Sequence, residues 1–351
     1  MRLAACVPNI PAQLVSSLET CGIRTDTDLL FSASPFDILR RLPPGSTTLS
    51  ELKQVTALVA KLASGSGHSA ADLLSLTHTE RSGEAFLSGI PQLDELLCGL
   101  ATPCRLIEVS GCKGSGTTSL LLHLVLRHLV HQPKSGVLWV DSTGDFSAAR
   151  AAEILELGDG ARAVLDRLQI SVAFEVDVVH EVLEELRLSL TLTPGIRIRG
   201  IVVDTVTALL GPNLSPVSAQ GHSIMTGLMR RLRAFAQSYS ITVFVVNNST
   251  AYTPFVARST FNNPSIRKPA LGPSFAFLTD ATLWLAEVRN EGPDQQEHTG
   301  DECTKHVAQV YRSKVTASNT LCSFKIRRGI IEPFDDMAKL EVQLDNVHPL
   351  S

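Results

Sequence analysis

Eight residues, Gly111-Cys112-Lys113-Gly114-Ser115-Gly116-Thr117-Thr118, constrain the fold of this chain more than any other stretch. They keep the glycine spacing of the pattern G-x-x-x-x-G-K-[ST], in which a turn between strand and helix surrounds phosphate with backbone N–H groups. Arg105-Leu106-Ile107-Glu108-Val109-Ser110 precedes them as a strand of aliphatic residues, and the apolar run Thr118–Leu126 follows as a helix. The pattern's lysine is missing, and Thr117 stands in its place. Amide dipoles and a helix N-terminus hold an anion without that lysine. Its loss costs about 1.5–3 kcal/mol of charge-assisted bonding, or roughly ten- to a hundredfold in affinity. Chemistry at a terminal phosphate suffers more, because positioned cations stabilise the charge of phosphoryl transfer.

At 351 residues the chain suits a large core with a smaller companion. Its formal charge of −4 exerts no overall pull on nucleic acid, so any such contact needs a local basic patch. Seven cysteines contain no C-x-x-C pair, which speaks against a disulfide framework or zinc site and for a reducing compartment. The histidines are scattered without ligand spacing, so the only metal expected is one carried by a nucleotide. Neither a signal peptide nor a run of about 20 apolar residues is seen, so a soluble intracellular protein with no membrane partner is expected.

Residues 1–63 read as a small helical domain. Ser34-Pro35 caps and opens one helix, which Pro43-Pro44-Gly45 stops; Thr48 and Glu51 form a capping box for the next. Behind that box Leu49, Leu52, Val55, Val59 and Leu62 share one face. Residues 64–83 form a linker that begins with the flexible Ser64–Ser69. Residues 84–335 form the core and 336–351 a tail. Within the core, branched runs alternate with helical patterns, the signature of an α/β fold whose mostly parallel sheet is covered on both faces. Strands are expected at Leu106–Ser110, Val137–Asp141, Leu168–Val172, Ile201–Asp204, Thr242–Val246, Thr282–Ala286, Val307–Arg312 and Leu321–Ile326.

Ile201-Val202-Val203-Asp204 ends a buried strand in a carboxylate, which with the Thr118 hydroxyl suits Mg²⁺; the simpler alternative is an aspartate capping a turn. Val137-Leu138-Trp139-Val140-Asp141-Ser142-Thr143-Gly144-Asp145-Phe146 is similar to the strand of RecA-type recombinases that ends in Thr-Glu-Gly-x-Phe, whose glutamate activates water. Thr143 occupies the glutamate's position, and a hydroxyl is no base at neutral pH. Val245-Val246-Asn247-Asn248-Ser249 resembles the family's Thr-Asn-Gln strand end, which senses the terminal phosphate; Asn248 fits and Ser249 replaces the glutamine.

Leu87–Leu100 resembles the segment that leads into the core of eukaryotic RecA/RadA-type recombinases, and Arg267-Lys268-Pro269-Ala270-Leu271-Gly272-Pro273-Ser274-Phe275 resembles their Lys-Pro-Ala-Leu-Gly element. Softer matches at Asp141-Ser142, Ala71-Asp72-Leu73 and Cys21–Thr25 are similar to the D-type paralogue branch. The resemblance implies a RecA-like P-loop core that binds ATP and Mg²⁺ through Gly111, Cys112, Lys113, Gly114, Ser115, Gly116, Thr117, Thr118, Asp204 and Asn248. It also implies nuclear work in homologous recombination and double-strand-break repair. Implied partners are a C-type paralogue at the core, an XRCC-two-type paralogue at the N-terminal domain, and single-stranded DNA.

With the lysine and the glutamate both replaced, the expectation is a scaffold that hydrolyses ATP poorly. The alternatives are a DNA-dependent ATPase using Lys113 or a neighbouring subunit as substitute cation, and an ATP-binding regulator that does not act on DNA. Of the two candidate DNA loops, Gly211–Gly221 has no positive charge. Ser249–Pro269 carries Tyr252, Phe255, Arg258, Phe261, Arg267 and Lys268, whose mixture of aromatics and cations suits stacking plus phosphate contact or an amphipathic surface loop. Arg230-Arg231-Leu232-Arg233 reads as a solvated helix face and Arg327-Arg328-Gly329 as a hairpin turn.

Overall fold

The computed structural model describes residues 2–7, 9–63, 69–71, 85–155, 160–192, 196–214, 219–252, 266–288 and 303–334. The chain divides into two units, Met1–Leu76 and Thr77–Ser351. In the first, a 3-10 turn precedes α1 (Ala12–Thr20), α2 (Asp26–Phe31), α3 (Pro35–Arg41) and α4 (Leu49–Ala63). Local chemistry fixes their starts. Ser34 Oγ accepts the Asp37 N–H at 3.2 Å ahead of α3. Glu51 N–H donates to Thr48 Oγ1 at 3.2 Å while Thr48 N–H donates to Glu51 Oε2 at 2.9 Å, so both ends of the capping box are closed. Leu52 and Val59 are fully buried with Leu3, Leu18, Leu29 and Ile38. Leu62 departs from its expected place on that face: in the last turn of α4 it is 45% exposed, so the buried stripe stops at Val59. Most of the expected linker, and all of the expected tail, lie outside the described residues.

The second unit is built on a ten-stranded sheet: β1 (Leu106–Gly111), β2 (Ser135–Asp141), β3 (Leu168–Val172), β4 (Arg197–Asp204), β5 (Thr242–Tyr252), β6 (Ile266–Pro269), β7 (Ala281–Val288), β8 (Cys303–Ser313), β9 (Leu321–Arg327) and β10 (Ile330–Pro333). The order is β10-β9-β8-β7-β1-β5-β4-β2-β3, with β6 paired to β5. Strands β7 through β3 in this order run parallel, and β8, β9 and β10 extend the β7 edge as an antiparallel ribbon. All eight strands expected from sequence form. The two unforeseen, β6 and β10, are four residues long and pair antiparallel.

Alternation along β2 shows why these strands read as continuous apolar runs. Val137 and Trp139 point into one hydrophobic layer, Leu138 and Val140 into the other. Each face therefore needs its own helical cover. The first layer is closed by α5 (Pro91–Leu97), α6 (Thr117–His131), α7 (Ala148–Ile154) and α8 (Ala161–Leu165), and the second by α9 (Val176–Leu192), α10 (Val206–Leu210) and α11 (Ala219–Tyr239). Leu120, Leu121, Leu124, Val125 and Leu129 of α6 are buried against the sheet, so its strong apolarity is core packing. Trp139 is 1% exposed; truncating it to alanine is worth about 3–5 kcal/mol of lost packing.

The arginines of α11 are not a uniformly solvated face. Arg230 is exposed, but Arg231 pairs with Glu184 of α9, and Arg233 donates to Asp280 Oδ1 and the Leu278 carbonyl, both at 2.9 Å. Asp280 Oδ2 also accepts the Leu106 N–H at 2.9 Å, so Arg233 ties α11 to the start of β1. Arg327-Arg328-Gly329 does form the β9–β10 turn, with positive φ at Arg328 and Gly329.

Candidate functional site

β1 runs with parallel partners on both sides and delivers the Gly111–Thr118 loop at its C-terminal end, where open α/β sheets bind ligands. Gly116 has φ 90° and caps the 15-residue helix α6, a conformation that L side chains avoid. Gly111 is just as restricted: a Cβ there would lie 2.2 Å from Ser115 Oγ and 2.6 Å from the Leu285 carbonyl. Ser115 N–H closes the turn on the Cys112 carbonyl at 2.9 Å. The first-turn N–H groups of α6 have no acceptor within the helix, so the loop presents donors and the positive end of a helix dipole. Among the described residues, Ser115 Oγ is buried with no hydrogen-bond partner. These features suit a polyphosphate. Thr117 and Thr118 are half-buried in the first turn, whereas Lys113 is exposed on the loop.

Thr118 Oγ1 donates to Asp204 Oδ2 at 2.9 Å, bringing the two residues chosen for Mg²⁺ together. Burial, opposed by this bond and reinforced by Asp141 and Asp145, raises the Asp204 carboxyl to about 6. A hard oxygen pair at a strand's end, carrying an ill-tolerated negative charge, is a donor set that fits a divalent ion. Asp141 behaves oppositely. Burial opposes its ionisation, but N–H groups of Phe146, Thr143 and Gly144 outweigh that and hold its pKa below the ordinary value. Thr143 is exposed and its hydroxyl donates to Asp141 Oδ1 at 3.2 Å, so the residue at the expected base position is a turn former. Arg150 Nη2 donates to Ser119 Oγ at 2.6 Å, placing a guanidinium beside the first turn of α6.

Where β5 leaves its pairing with β1, Asn248 is exposed; its N–H donates to Thr207 Oγ1 and its carbonyl accepts from Ala270, both at 2.8 Å. Its neighbour Asn247 is turned inward. Thr207 Oγ1 donates to Asn247 Oδ1 at 2.8 Å, and Asn247 Nδ2 donates to Glu108 Oε1 at 2.6 Å. Thr282 Oγ1 completes the chain by donating to Glu108 Oε2 at 2.7 Å. Ser249 Oγ lies 3.4 Å from Cys112 Sγ and accepts from Arg267 Nη1 at 3.3 Å, linking the phosphate loop to β6.

Of the candidate DNA residues, Arg267 is exposed and Lys268 half-buried on β6; Tyr252 ends β5. Phe255, Arg258 and Phe261 lie outside the described residues, as do residues 215–218 of the Gly211–Gly221 loop. Sequence reasoning missed two groups that support the site. Buried Glu108 stands inside the strand before the loop, and its position as one acidic residue in an apolar run was the available signal. His306, on β8, stands 2.9 Å from the Ser115 carbonyl and gave no signal in its own neighbourhood.

A parallel sheet with a glycine loop after β1 and a half-buried aspartate at the end of β4 is the arrangement of a RecA-like core. The crystal structure of the RadB recombinase shares this fold, with a TM-score of 0.53 and 22% identity, over 71% of this chain and all of that one. The sequence model of the Rad51 family matches residues 85–294, more than half of the chain, and the chain belongs to the Rad51 family. Among its relatives, the cattle (Bos taurus) protein called DNA repair protein RAD51 homolog 4 is 29% identical over 300 residues, 83% of this chain and 86% of its own length. The mouse (Mus musculus) protein of the same name is 29% identical over 60% of this chain and 64% of its own length. A Dictyostelium discoideum protein described as a probable RAD51 homolog 4 is 23% identical over 60% of this chain and 68% of its own.

Proposed function

We propose that this chain is a recombinase-paralogue subunit for DNA repair by homologous recombination that seats ATP with Mg²⁺ and hydrolyses it poorly. One observation carries the reading: the glycine loop and the Thr118–Asp204 pair keep a geometry suited to a nucleotide, while Thr117 and Thr143 stand at the two catalytic positions. ATP's phosphates would be held by the amides of residues 111–118, and Mg²⁺ by Thr118 and Asp204. The metal would neutralise phosphate charge when bound. With neither the lysine nor a carboxylate base, two contributions each worth about a hundredfold or more are absent from turnover.

The names of the relatives support work in DNA repair, and hence the nucleus. No helix among the described residues is long and apolar enough to cross a membrane. Partners of the kind proposed are a C-type paralogue at the core, an XRCC-two-type paralogue at the helical domain and single-stranded DNA near β6. The helical domain, residues 1–63, and the core, 84–335, are proposed as separable around the linker.

A second reading, turnover with a substitute cation, is favoured by Arg267, which reaches Ser249 beside the loop; the exposed Lys113 lends it less support. Equilibrium binding of ATP with Mg²⁺ to purified protein, alongside phosphate release with and without single-stranded DNA, tests the proposal. Measurable binding, weakened by the missing lysine, with slow release is expected. Release at the rate of an active recombinase would overturn it, and so would the lack of any nucleotide binding.

A further inference from the structure

The phosphate loop rests on a histidine of β8, two strands from β1 in the sheet and on the face that α6 covers. His306, on β8, is 2% exposed and stacks on Phe324 with ring centroids 5.7 Å apart. Its Nδ1 lies 2.9 Å from the carbonyl oxygen of Ser115, and its Nε2 lies 2.7 Å from Thr304 Oγ1. A carbonyl can only accept, so Nδ1 carries the proton; in the neutral ring Nε2 accepts from the Thr304 hydroxyl, whose 2.7 Å approach is shorter than its 3.4 Å contact with the Ile326 carbonyl. Burial lowers the His306 pKa, in keeping with a neutral ring. The imidazole therefore has one tautomer and one orientation.

The Ser115–Gly116 peptide gives this contact its significance. In a trans peptide the C=O and the following N–H point in opposite directions. Holding the Ser115 carbonyl down on His306 turns the Gly116 N–H up, away from the β8–β9 floor. The same floor crowds position 116, whose φ of 90° already favours glycine: a Cβ there would lie 2.6 Å from Ile326 Cδ1 and 3.3 Å from His306 Nδ1. We infer that His306 is a positioning residue that sets the direction of the Gly116 amide, so that the loop keeps a donor aimed at phosphate where its lysine is lost. Its bearing on affinity rests on the nucleotide reading proposed above; its hold on the loop does not.

The test compares variants that separate the donor from the ring. His306→Asn keeps an N–H near the position of Nδ1 and removes the aromatic ring. His306→Phe keeps a ring on Phe324 and removes the donor, and His306→Leu is a smaller donor-free control. Hydrogen exchange of a peptide spanning residues 112–120 is measured on the full chain without nucleotide, with peptides of β2 and β4 reporting that the fold is intact. Loop exchange near the wild-type rate in Asn, and faster in Phe and Leu, is expected. Acceleration in all three variants, in none, or in Asn alone overturns the inference.

In a second arm, binding of a fluorescent ATP analogue should weaken about three- to tenfold in Phe and Leu, the worth of one hydrogen bond, and remain within about twofold in Asn. If the wild-type chain binds no nucleotide, the functional reading fails and the exchange arm still decides the role of His306.

Discussion

Thr118 and Asp204 meet across 2.9 Å, joining the first turn of α6 to the end of β4 through one hydroxyl and one half-buried carboxylate. The carboxyl titrates near 6 because burial and two neighbouring aspartates disfavour its charge. A raised acid pKa stabilises the fold fully below the unfolded value of about 3.9, and that contribution is lost as pH rises through about 6. Above that pH the metal-free protein holds an unwelcome charge. Asp204→Asn keeps an acceptor for Thr118 and removes this charge. Its melting temperature at about pH 7.5 without metal should equal or exceed the wild-type value, while the gain in ATP affinity from Mg²⁺ should shrink about tenfold or more. Scanning fluorimetry and metal-dependent binding check the two halves. A drop of several degrees would show that Asp204 serves the fold rather than an ion.

Restoring the lysine should separate binding from turnover. Thr117→Lys is expected to raise ATP affinity by roughly ten- to a hundredfold. Phosphate release should stay low until Thr143→Glu is added, because the missing base limits the chemistry independently. Isothermal calorimetry and single-turnover assays on the two single variants and the double would settle it. A single Thr117→Lys change that brought full turnover would show that Thr143 is not the second deficiency.

Glu108 predicts a pH dependence of its own. It is fully buried in β1; burial raises its pKa against the opposing bonds from Asn247 and Thr282 and the nearby Arg312. Its contribution to stability is complete below about 4.3, the unfolded value, and is lost as pH rises through the higher folded pKa. Glu108→Gln can still accept from Asn247 and donate to Thr282 Oγ1. The urea midpoint of the wild type should therefore fall more between about pH 5 and about pH 8 than that of the variant. Parallel curves would remove Glu108 as the source.

Replacing Arg267 and Lys268 together by alanine should weaken binding to single-stranded DNA without sequence preference. Each lost phosphate contact should lower the slope of log affinity against log salt by about 0.7. Fluorescence anisotropy with a labelled oligonucleotide over a salt series measures it. An unchanged slope would assign DNA contact to other residues or to a partner.

Most of the scaffold was legible because its signals are local. Branched runs gave the eight long strands, glycine spacing gave the loop, and Thr48 with Glu51 gave the start of α4. Thr118 and Asp204, 86 residues apart, were paired only because each carried its own pattern. Leu62 fitted a helical stripe, yet burial depends on what packs opposite, and no periodicity states that. Arg231 and Arg233 looked like surface charge because their partners, Glu184 and Asp280, are each 47 residues away. His306 was invisible for the same reason, 191 positions from the carbonyl it holds.

The antiparallel ribbon β8–β10 begins after residue 294, where the match to the family ends. A product truncated there would retain the family-like segments from Leu87–Leu100 through the glycine loop to Arg267–Phe275. It would also expose the long edge of β7 and leave Gly116 hanging over nothing. Despite an intact set of signatures, such a product should be prone to aggregation along that bare edge.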